Sequence, residues 1–412
     1  DAMKISEKFF FRIFVLFFFI SCYCCAPSLE GYNAKLKDST VSGLSAGAFF
    51  AVQMGVAYSQ DIKGVGVFAG GPYDCAQGKL TKALTECMTA LPSGPETNKL
   101  ISITDSRASQ GLVGQTSQMQ TQKVFLWGGT KDTTVHPPVM KALNKYYSHF
   151  VSSDNLTYID TLPAAHTFPT DNPVAPNACE VSKSPYISQC NYDGAGAALK
   201  WIYGASLSGN RVPWGQALNG TIIEFDQNEF DATSAGLSST GYVFVPAQCA
   251  AGQQCRLHVA LHGCLQDYAA IGMDYVQLTG FNNWAVTNNL IILYPQVKRT
   301  SQLGSNPNAC FDWWGYLDDK QSYDTVKGPQ MKAVYKMMER VTSGSSVRTL
   351  PSPNNLRASQ IANTSIQLSW SAVDGASKYN VARNQQVVGS VSTPLYKDTG
   401  LSAGTTYVYS VQ

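Results

Sequence analysis

Apolar residues in this chain fall in short blocks, not in long stripes. Those at 123–128 (Lys-Val-Phe-Leu-Trp-Gly), 242–245, 256–261 and 290–294 are too short for helices and read as buried strands. A further short strand is expected at 156–159, and helical spacing is expected near 138–150, 281–288 and 327–339. Strands alternating with helices predict an α/β sheet covered on both faces. Near the start, Ala46, Phe49, Phe50, Met54 and Ala57 fall on one face of a helix that begins directly after Ser45. The strand before that helix is weakly marked, with Val41 as its only strong apolar residue. No internal repeat is visible.

Residues 343–353, rich in Ser, Gly and Pro, read as a linker between a larger α/β unit over 27–342 and a smaller one over 354–412. In the smaller unit, 366–370 and 379–382 alternate apolar and polar residues, as sandwich strands do. Leu401, Gly404 and Tyr407 have the arrangement of a tyrosine corner, in which a hydroxyl bonds back to nearby backbone. This all-β segment resembles a fibronectin type III domain, and it stops before a final strand would be complete, so a truncated sandwich is expected. At the other end Lys4, Lys8 and Arg12 precede an apolar run at 13–20 and the small residues Ser21 and Ala26. That pattern predicts a secretory signal peptide over 1–26 and an extracellular protein. The run is too short to span a membrane as a helix, which weighs against the alternative of an anchor and predicts no stable membrane insertion.

With 44% hydrophobic and 14% charged residues, the 412-residue chain can bury ample core. A net charge of +2 and the absence of a Lys/Arg run set nucleic-acid binding aside. Cys22, Cys24 and Cys25 belong to the leader, and eight of the eleven cysteines lie beyond it. An even set in an exported chain implies disulfides, and none of the spacings is that of a zinc site, so neither metal nor cofactor is expected. Eight cysteines allow about a hundred pairings. Proximity favours Cys75–Cys87, Cys179–Cys190 and Cys249–Cys255, leaving Cys264–Cys310. Asn155, Asn219 and Asn363 head glycosylation triplets.

Gly43-Leu-Ser45-Ala-Gly47 matches the nucleophile elbow, a sharp strand-to-helix turn in which small flanking residues let the serine hydroxyl stand exposed. The pentapeptide recurs by chance, and the apolar helix behind it is what gives it weight. A serine hydroxyl needs a base, and the base needs a carboxylate to orient it. In α/β-hydrolases these follow in the order Ser, acid, His on loops after strands. Asp132 follows the strand ending at Trp127-Gly128, and His166 follows the strand near Ile159. Of the other histidines, His136 and His149 lie at the edge of, or within, the intervening helix, His258 alternates within a strand, and His262 sits in another motif. Asp105 competes for the acid, but no convincing strand precedes it. An oxyanion hole takes one backbone N–H from the residue after the nucleophile, here Ala46. A second comes from a His-Gly loop, and Leu261-His-Gly-Cys264 supplies one. That loop lies after the triad instead of before the nucleophile, which predicts a circularly permuted hydrolase.

The segments 41–49, 257–266 (Leu-His-Val-Ala-Leu-His-Gly-Cys-Leu-Gln), 294–296 and 310–316 (Cys-Phe-Asp-Trp-Trp-Gly-Tyr) resemble the circularly permuted poly(3-hydroxybutyrate) depolymerases. The likeness covers nearly all of 32–342. It implies a triad of Ser45, Asp132 and His166, oxyanion donors at the backbone of Ala46 and Cys264, and an aromatic wall carried by Trp313 and Trp314. Ala46 and Phe311 depart from the family's more usual Ser and Trp without removing a backbone donor. Since adjacent residues of an extended segment point oppositely, one of the two tryptophans is expected in the core and the other in the cleft.

The expected activity is hydrolysis of polyester bonds by a monomer, at oligomers or a solid polymer surface. A carboxylesterase for soluble or polysaccharide-linked feruloyl or acetyl esters is the alternative. A non-catalytic binding protein on a hydrolase scaffold is disfavoured by the complete set of catalytic groups.

Overall fold

The computed structural model describes residues 26–300, 306–317, 322–344, 352–373, 376 and 378–412, together with a two-residue strand at Val15–Leu16. The expected leader, apart from that strand, and most of the expected linker lie outside these residues. Two compact units separate, Ala26–Ser346 and a second that contains Val347–Gln412.

The first unit is built on eight strands: β1 Ala34–Leu44, β2 Ile62–Phe68, β3 Lys123–Trp127, β4 Leu156–Ile159, β5 Gly220–Asp226, β6 Thr240–Pro246, β7 Cys255–Leu261 and β8 Leu290–Tyr294. They lie side by side in the order β4-β3-β2-β1-β7-β8-β6-β5. All run parallel except β6, which opposes both β8 and β5. The chain thus enters at mid-sheet, lays three strands outward to one edge, crosses to the far edge, and works back until β7 pairs with β1. Strands β7 and β8 are almost wholly buried, as expected of parallel strands with both faces covered.

Six helices matter here: α1 Ala46–Ala57, α2 Thr97–Ser109, α3 Pro137–Phe150, α4 Gly194–Tyr203, α5 Phe281–Asn288 and α6 Pro329–Val341. Strand β2 shows how two of them pack. A methyl group at Gly64 would sit 2.3 Å from Ile202 of α4, whereas the neighbouring Val65 meets Gly55 of α1. Successive residues of a strand face opposite ways, so α1 and α4 cover opposite faces. Helix α3 opens with two prolines and buries Val139, Met140, Leu143, Tyr146, Tyr147 and Phe150 along one side.

The main departures from expectation have physical causes. Strand β2 (Ile-Lys-Gly-Val-Gly-Val-Phe) carries a weak strand pattern because its glycines make room for α4, and β5 is a largely half-exposed edge strand. Strand β1 is longer than its apolar content suggested. Its first five residues alternate between exposed and half-buried, and its last six are buried. The helix after Ser45 does not present a single apolar face. Every residue of α1 is buried, so it is a core helix enclosed on all sides.

The junction of the permutation is visible. The Tyr32 amide donates to the Val341 carbonyl at 2.8 Å, so the end of α6 lies against the start of β1. A Cβ at Gly31 would meet Ser343 Oγ at 2.4 Å.

The second unit consists of short antiparallel strands at Arg357–Ser359, Ser365–Ser369, Tyr379–Arg383, Gln386–Val391, Leu395–Thr399 and Tyr407–Val411. Ile366, Leu368, Trp370, Tyr379, Val381, Leu401, Tyr409 and Val411 form its core. Tyr407 forms the corner expected of it, its hydroxyl accepting from the Ser402 amide at 3.0 Å.

Candidate active site

Strand β1 ends at Leu44 and α1 starts at Ala46, leaving Ser45 alone to make the turn, at φ 56° and ψ −122°. Such a conformation costs energy for a residue with a Cβ and persists where surrounding structure enforces it. Here the Ser45 amide donates to Phe68 O at 3.0 Å, and the Ser45 carbonyl accepts from Ala48 and Phe49 to start the helix. Both motif glycines answer to close backbone approach. A Cβ on Gly43 would be 2.3 Å from the Gly47 carbonyl, and one on Gly47 would be 2.4 Å from Leu261 O and 2.5 Å from His262 O.

Asp132 sits in the loop after β3. Its Oδ1 accepts from the amides of Thr134 (2.8 Å) and Val135 (2.9 Å), which leaves Oδ2 to meet His166 Nδ1 at 2.8 Å. Both side chains are buried. His166 lies on the loop after β4, and the two loops are zipped together. Thr130 N donates to Leu162 O (2.9 Å) and Lys131 N to Ala164 O (3.1 Å). Gly129 is forced here, since a Cβ would lie 2.1 Å from Ala164 O. Ser182 Oγ donates to the His166 carbonyl at 3.2 Å. With Nδ1 committed to Asp132, the ring has Nε2 left for other partners.

Ser45 and His166 line one cleft of about 470 Å³ together with Leu80, Leu84, Tyr186, Gly263, Cys264, Trp313 and Trp314. No hydrogen bond joins Ser45 to His166 in this structure.

The loop after β7 closes another side. His262 Nδ1–H donates to Gly263 O at 2.8 Å, and its Nε2 accepts from Val297 N at 3.2 Å. Burial pulls its pKa down to about 4, so the ring is neutral at neutral pH. Among the described residues no backbone carbonyl accepts from Ala46 N or Cys264 N. The Cys264–Cys310 disulfide joins this loop to the one bearing the tryptophans. The remaining disulfides are Cys75–Cys87, Cys179–Cys190 and Cys249–Cys255.

The two tryptophans differ in burial, although both line the cleft. Trp313 is buried, its ring stacked on Phe49 at 4.2 Å, while the half-buried Trp314 stands edge-on to it at 5.5 Å. Asp312 shapes their loop. Its Oδ1 accepts from the amides of Gly315 (2.8 Å) and Tyr316 (2.9 Å), and its own amide donates to Gln330 Oε1 at 2.6 Å. Burial pushes the Asp312 pKa up to about 6, partly offset by those amides. Phe311 packs inward against Phe50 and His262.

The other candidates lie elsewhere. Asp105 is exposed on α2, and His149 is in the last turn of α3. His136 precedes α3 and bonds Thr133 O. His258 is a core residue held by Thr40 Oγ1 (2.7 Å) and Ser42 Oγ (2.8 Å), its pKa lowered to about 3 by burial. Sequence reasoning missed Asp312, Gln330 and Gln266 as organisers of the cleft. Only a polar residue amid aromatic or apolar neighbours could have pointed to them. Among the described residues there is no cluster suited to a metal ion, and no helix is long and apolar enough to cross a membrane.

Comparison with known proteins gives consistent matches. A poly(3-hydroxybutyrate) depolymerase of Delftia acidovorans is 43% identical over 398 residues, covering 94% of this chain and 78% of that protein. A polyhydroxybutyrate depolymerase of Talaromyces funiculosus is 42% identical over 335 residues, covering 77% and 94% respectively. The crystal structure of PHB depolymerase from Penicillium funiculosum superposes with a TM-score of 0.70 at 42% identity, over 77% of this chain and all of that one. A serine-to-alanine PHB depolymerase complexed with R3HB trimer superposes with a TM-score of 0.71 at 42% identity, again over 77% of this chain and 100% of that one. The fibronectin type III domain model matches residues 351–412.

Proposed function

The chain belongs to the poly(3-hydroxybutyrate) depolymerases, which are serine ester hydrolases, and on that footing we propose that it cleaves polyhydroxyalkanoate esters through Ser45, His166 and Asp132. The observation that carries this reading is the 2.8 Å contact from His166 Nδ1 to Asp132 Oδ2, at a cleft that His166 shares with a Ser45 turned outward at an elbow.

Asp132 fixes the tautomer and orientation of the imidazole, so that Nε2 takes the proton of Ser45 as Oγ attacks the ester carbonyl. The carbonyl oxygen becomes an oxyanion, stabilised by the N–H groups of Ala46 and Cys264. Collapse expels the alkoxide, which takes the proton from His166 Nε2 and leaves an acyl-serine. Water, deprotonated by the same nitrogen, then frees the acid. Trp314 offers an aromatic surface to the methyl-bearing chain, and Trp313 supports it from the core. Four disulfides and the leader pattern at 1–26 support action outside the cell.

The test compares wild type with Ser45→Ala on a turbid poly(3-hydroxybutyrate) suspension and on a soluble nitrophenyl ester. Clearing by wild type and none by the variant is expected. Ester turnover without clearing would favour a carboxylesterase for soluble substrates, and an active Ser45→Ala would remove the serine mechanism.

A further inference from the structure

A single buried side chain joins the oxyanion-side loop to the turn at 185–186, which itself pairs with the backbone just past His166. We propose that Gln266 is a positioning residue that holds the peptide bearing the Cys264 amide in register with His166. This rests on the reading of the site given above.

Gln266 is 1% exposed. Its Oε1 accepts from the Gly263 amide at 2.7 Å, and its Nε2 donates to Pro185 O at 2.8 Å and Tyr186 O at 3.2 Å. Tyr186 O also accepts from the amide of Phe168 at 2.8 Å, two residues past His166. A continuous hydrogen-bonded path therefore runs from the oxyanion loop to the backbone beside the base. Only a primary amide can serve both ends, because a carboxylate accepts but cannot donate.

The consequence for Cys264 follows from peptide planarity. Gly263 C=O and Cys264 N–H share one rigid plane and point in opposite directions. His262 Nδ1–H holds that carbonyl, and Gln266 holds the N–H of the preceding plane. Both planes flanking Gly263 are thereby fixed, and the Cys264 amide is aimed without any bond of its own. Gly263 is packed tightly on the nucleophile, since a Cβ there would lie 3.3 Å from Ser45 Cβ and 2.9 Å from Gln266 Oε1. A loop this close to the reacting serine needs its amide directed before substrate arrives, because preorganised donors give most of the stabilisation.

The test uses Gln266→Glu, Gln266→Met and Gln266→Asn in the full chain, with Ser45→Ala alongside. Glu keeps the acceptor for Gly263 and loses both donations. Met loses everything at similar volume, and Asn keeps the amide one methylene short. For Glu and Met, kcat on a soluble nitrophenyl ester is expected to fall about 10- to 100-fold, short of losing an oxyanion donor outright, with KM changed less than about threefold. Affinity for an alkyl boronic acid, which forms a tetrahedral adduct on serine, should weaken by the same factor as kcat/KM, and Asn should fall between Met and wild type. Unchanged kcat and boronate affinity in folded variants would overturn the assignment. So would a loss of activity that follows thermal stability while boronate affinity stays intact, or failure of all three variants to fold. If Ser45→Ala stayed active, the site reading itself would fail. An inactive Ser45→Ala beside fully active Gln266 variants would sink this inference alone.

Discussion

The backbone of Gly47, on the first turn of α1, approaches Leu261 at the end of β7 so closely that an added methyl group would lie 2.4 Å from the Leu261 carbonyl oxygen. Helix α1 and strand β7 meet main chain to main chain, and neither can withdraw without moving the cleft. Gly47→Ala is therefore expected to cost about 2–3 kcal/mol or more of stability, together with most of the activity. Gly128→Ala, whose new methyl would press on the flexible Met140 side chain at 3.1 Å and meet the Tyr158 hydroxyl at an ordinary 3.7 Å, should be far milder. Denaturant unfolding and ester turnover of the two variants check this.

Asp132→Asn isolates the electrostatic role of the carboxylate. The new Oδ1 can still accept from Thr134 and Val135, so the loop should hold and the melting temperature should stay within a few degrees. The amide at the other position cannot accept from His166 Nδ1 and favours the wrong tautomer. A loss in kcat of about 10³- to 10⁴-fold is expected, the size such a swap has in serine proteases. Near-normal turnover would remove Asp132 from the mechanism.

The two tryptophans should separate on substitution. Trp313→Ala opens a hole against Phe49 and is expected to destabilise the unit by about 3–5 kcal/mol. Trp314→Ala, on the half-buried ring, should leave the melt nearly unchanged and raise KM for hydroxybutyrate oligomers more than for a small nitrophenyl ester. Calorimetry and oligomer kinetics distinguish the two outcomes.

Disulfides that close loops of different length should differ in worth. Loop-closure entropy assigns about 4 kcal/mol to Cys264–Cys310, whose partners are 46 residues apart, and about 2 kcal/mol to Cys249–Cys255, which are 6 apart. Replacing each pair by alanine should reproduce that order in urea unfolding. Only loss of the longer bridge should also lower kcat, because it links the oxyanion loop to the tryptophan loop.

Asp312 gives a pH signature. An unfolded chain would hold that carboxyl near the ordinary value of about 3.9, whereas burial raises it to about 6 in the folded protein. Between these values the native state binds more protons than the unfolded state, so this group's contribution to stability falls as pH rises from about 4 to about 6. Asp312→Asn removes the slope. The stability of wild type relative to the variant should decline through that window and be flat above pH 7. A difference that stays constant from pH 4 to 6 would contradict this.

The residues proposed to perform the chemistry could be picked out in the sequence because each follows a local signal: a glycine-flanked serine, and an acid and a histidine just past strand ends. Asp132 and His166 meet at 2.8 Å for that reason. The permuted order was readable too, from the position of the His262-Gly263 loop after the triad. Less was visible where packing between distant segments decides the outcome. Strand β2 was hidden by glycines that exist to admit Ile202 and Ala198, and α1 showed an apolar face while being enclosed on every side. Gln266, Asp312 and Gln330 were silent because a polar side chain announces neither the loops it will join nor their positions in the fold.

The contact of Tyr32 with Val341 also bears on how the protein is made. Because the cut falls just before β1, the ribosome releases that strand about 200 residues ahead of its neighbour β7. At ordinary translation speeds of about 5–20 residues per second, one flank of β1 stays unpaired for tens of seconds. The exposed backbone of that flank is an invitation to mispairing, and a chaperone that shields nascent edges should raise the yield of active enzyme more than one that acts after release.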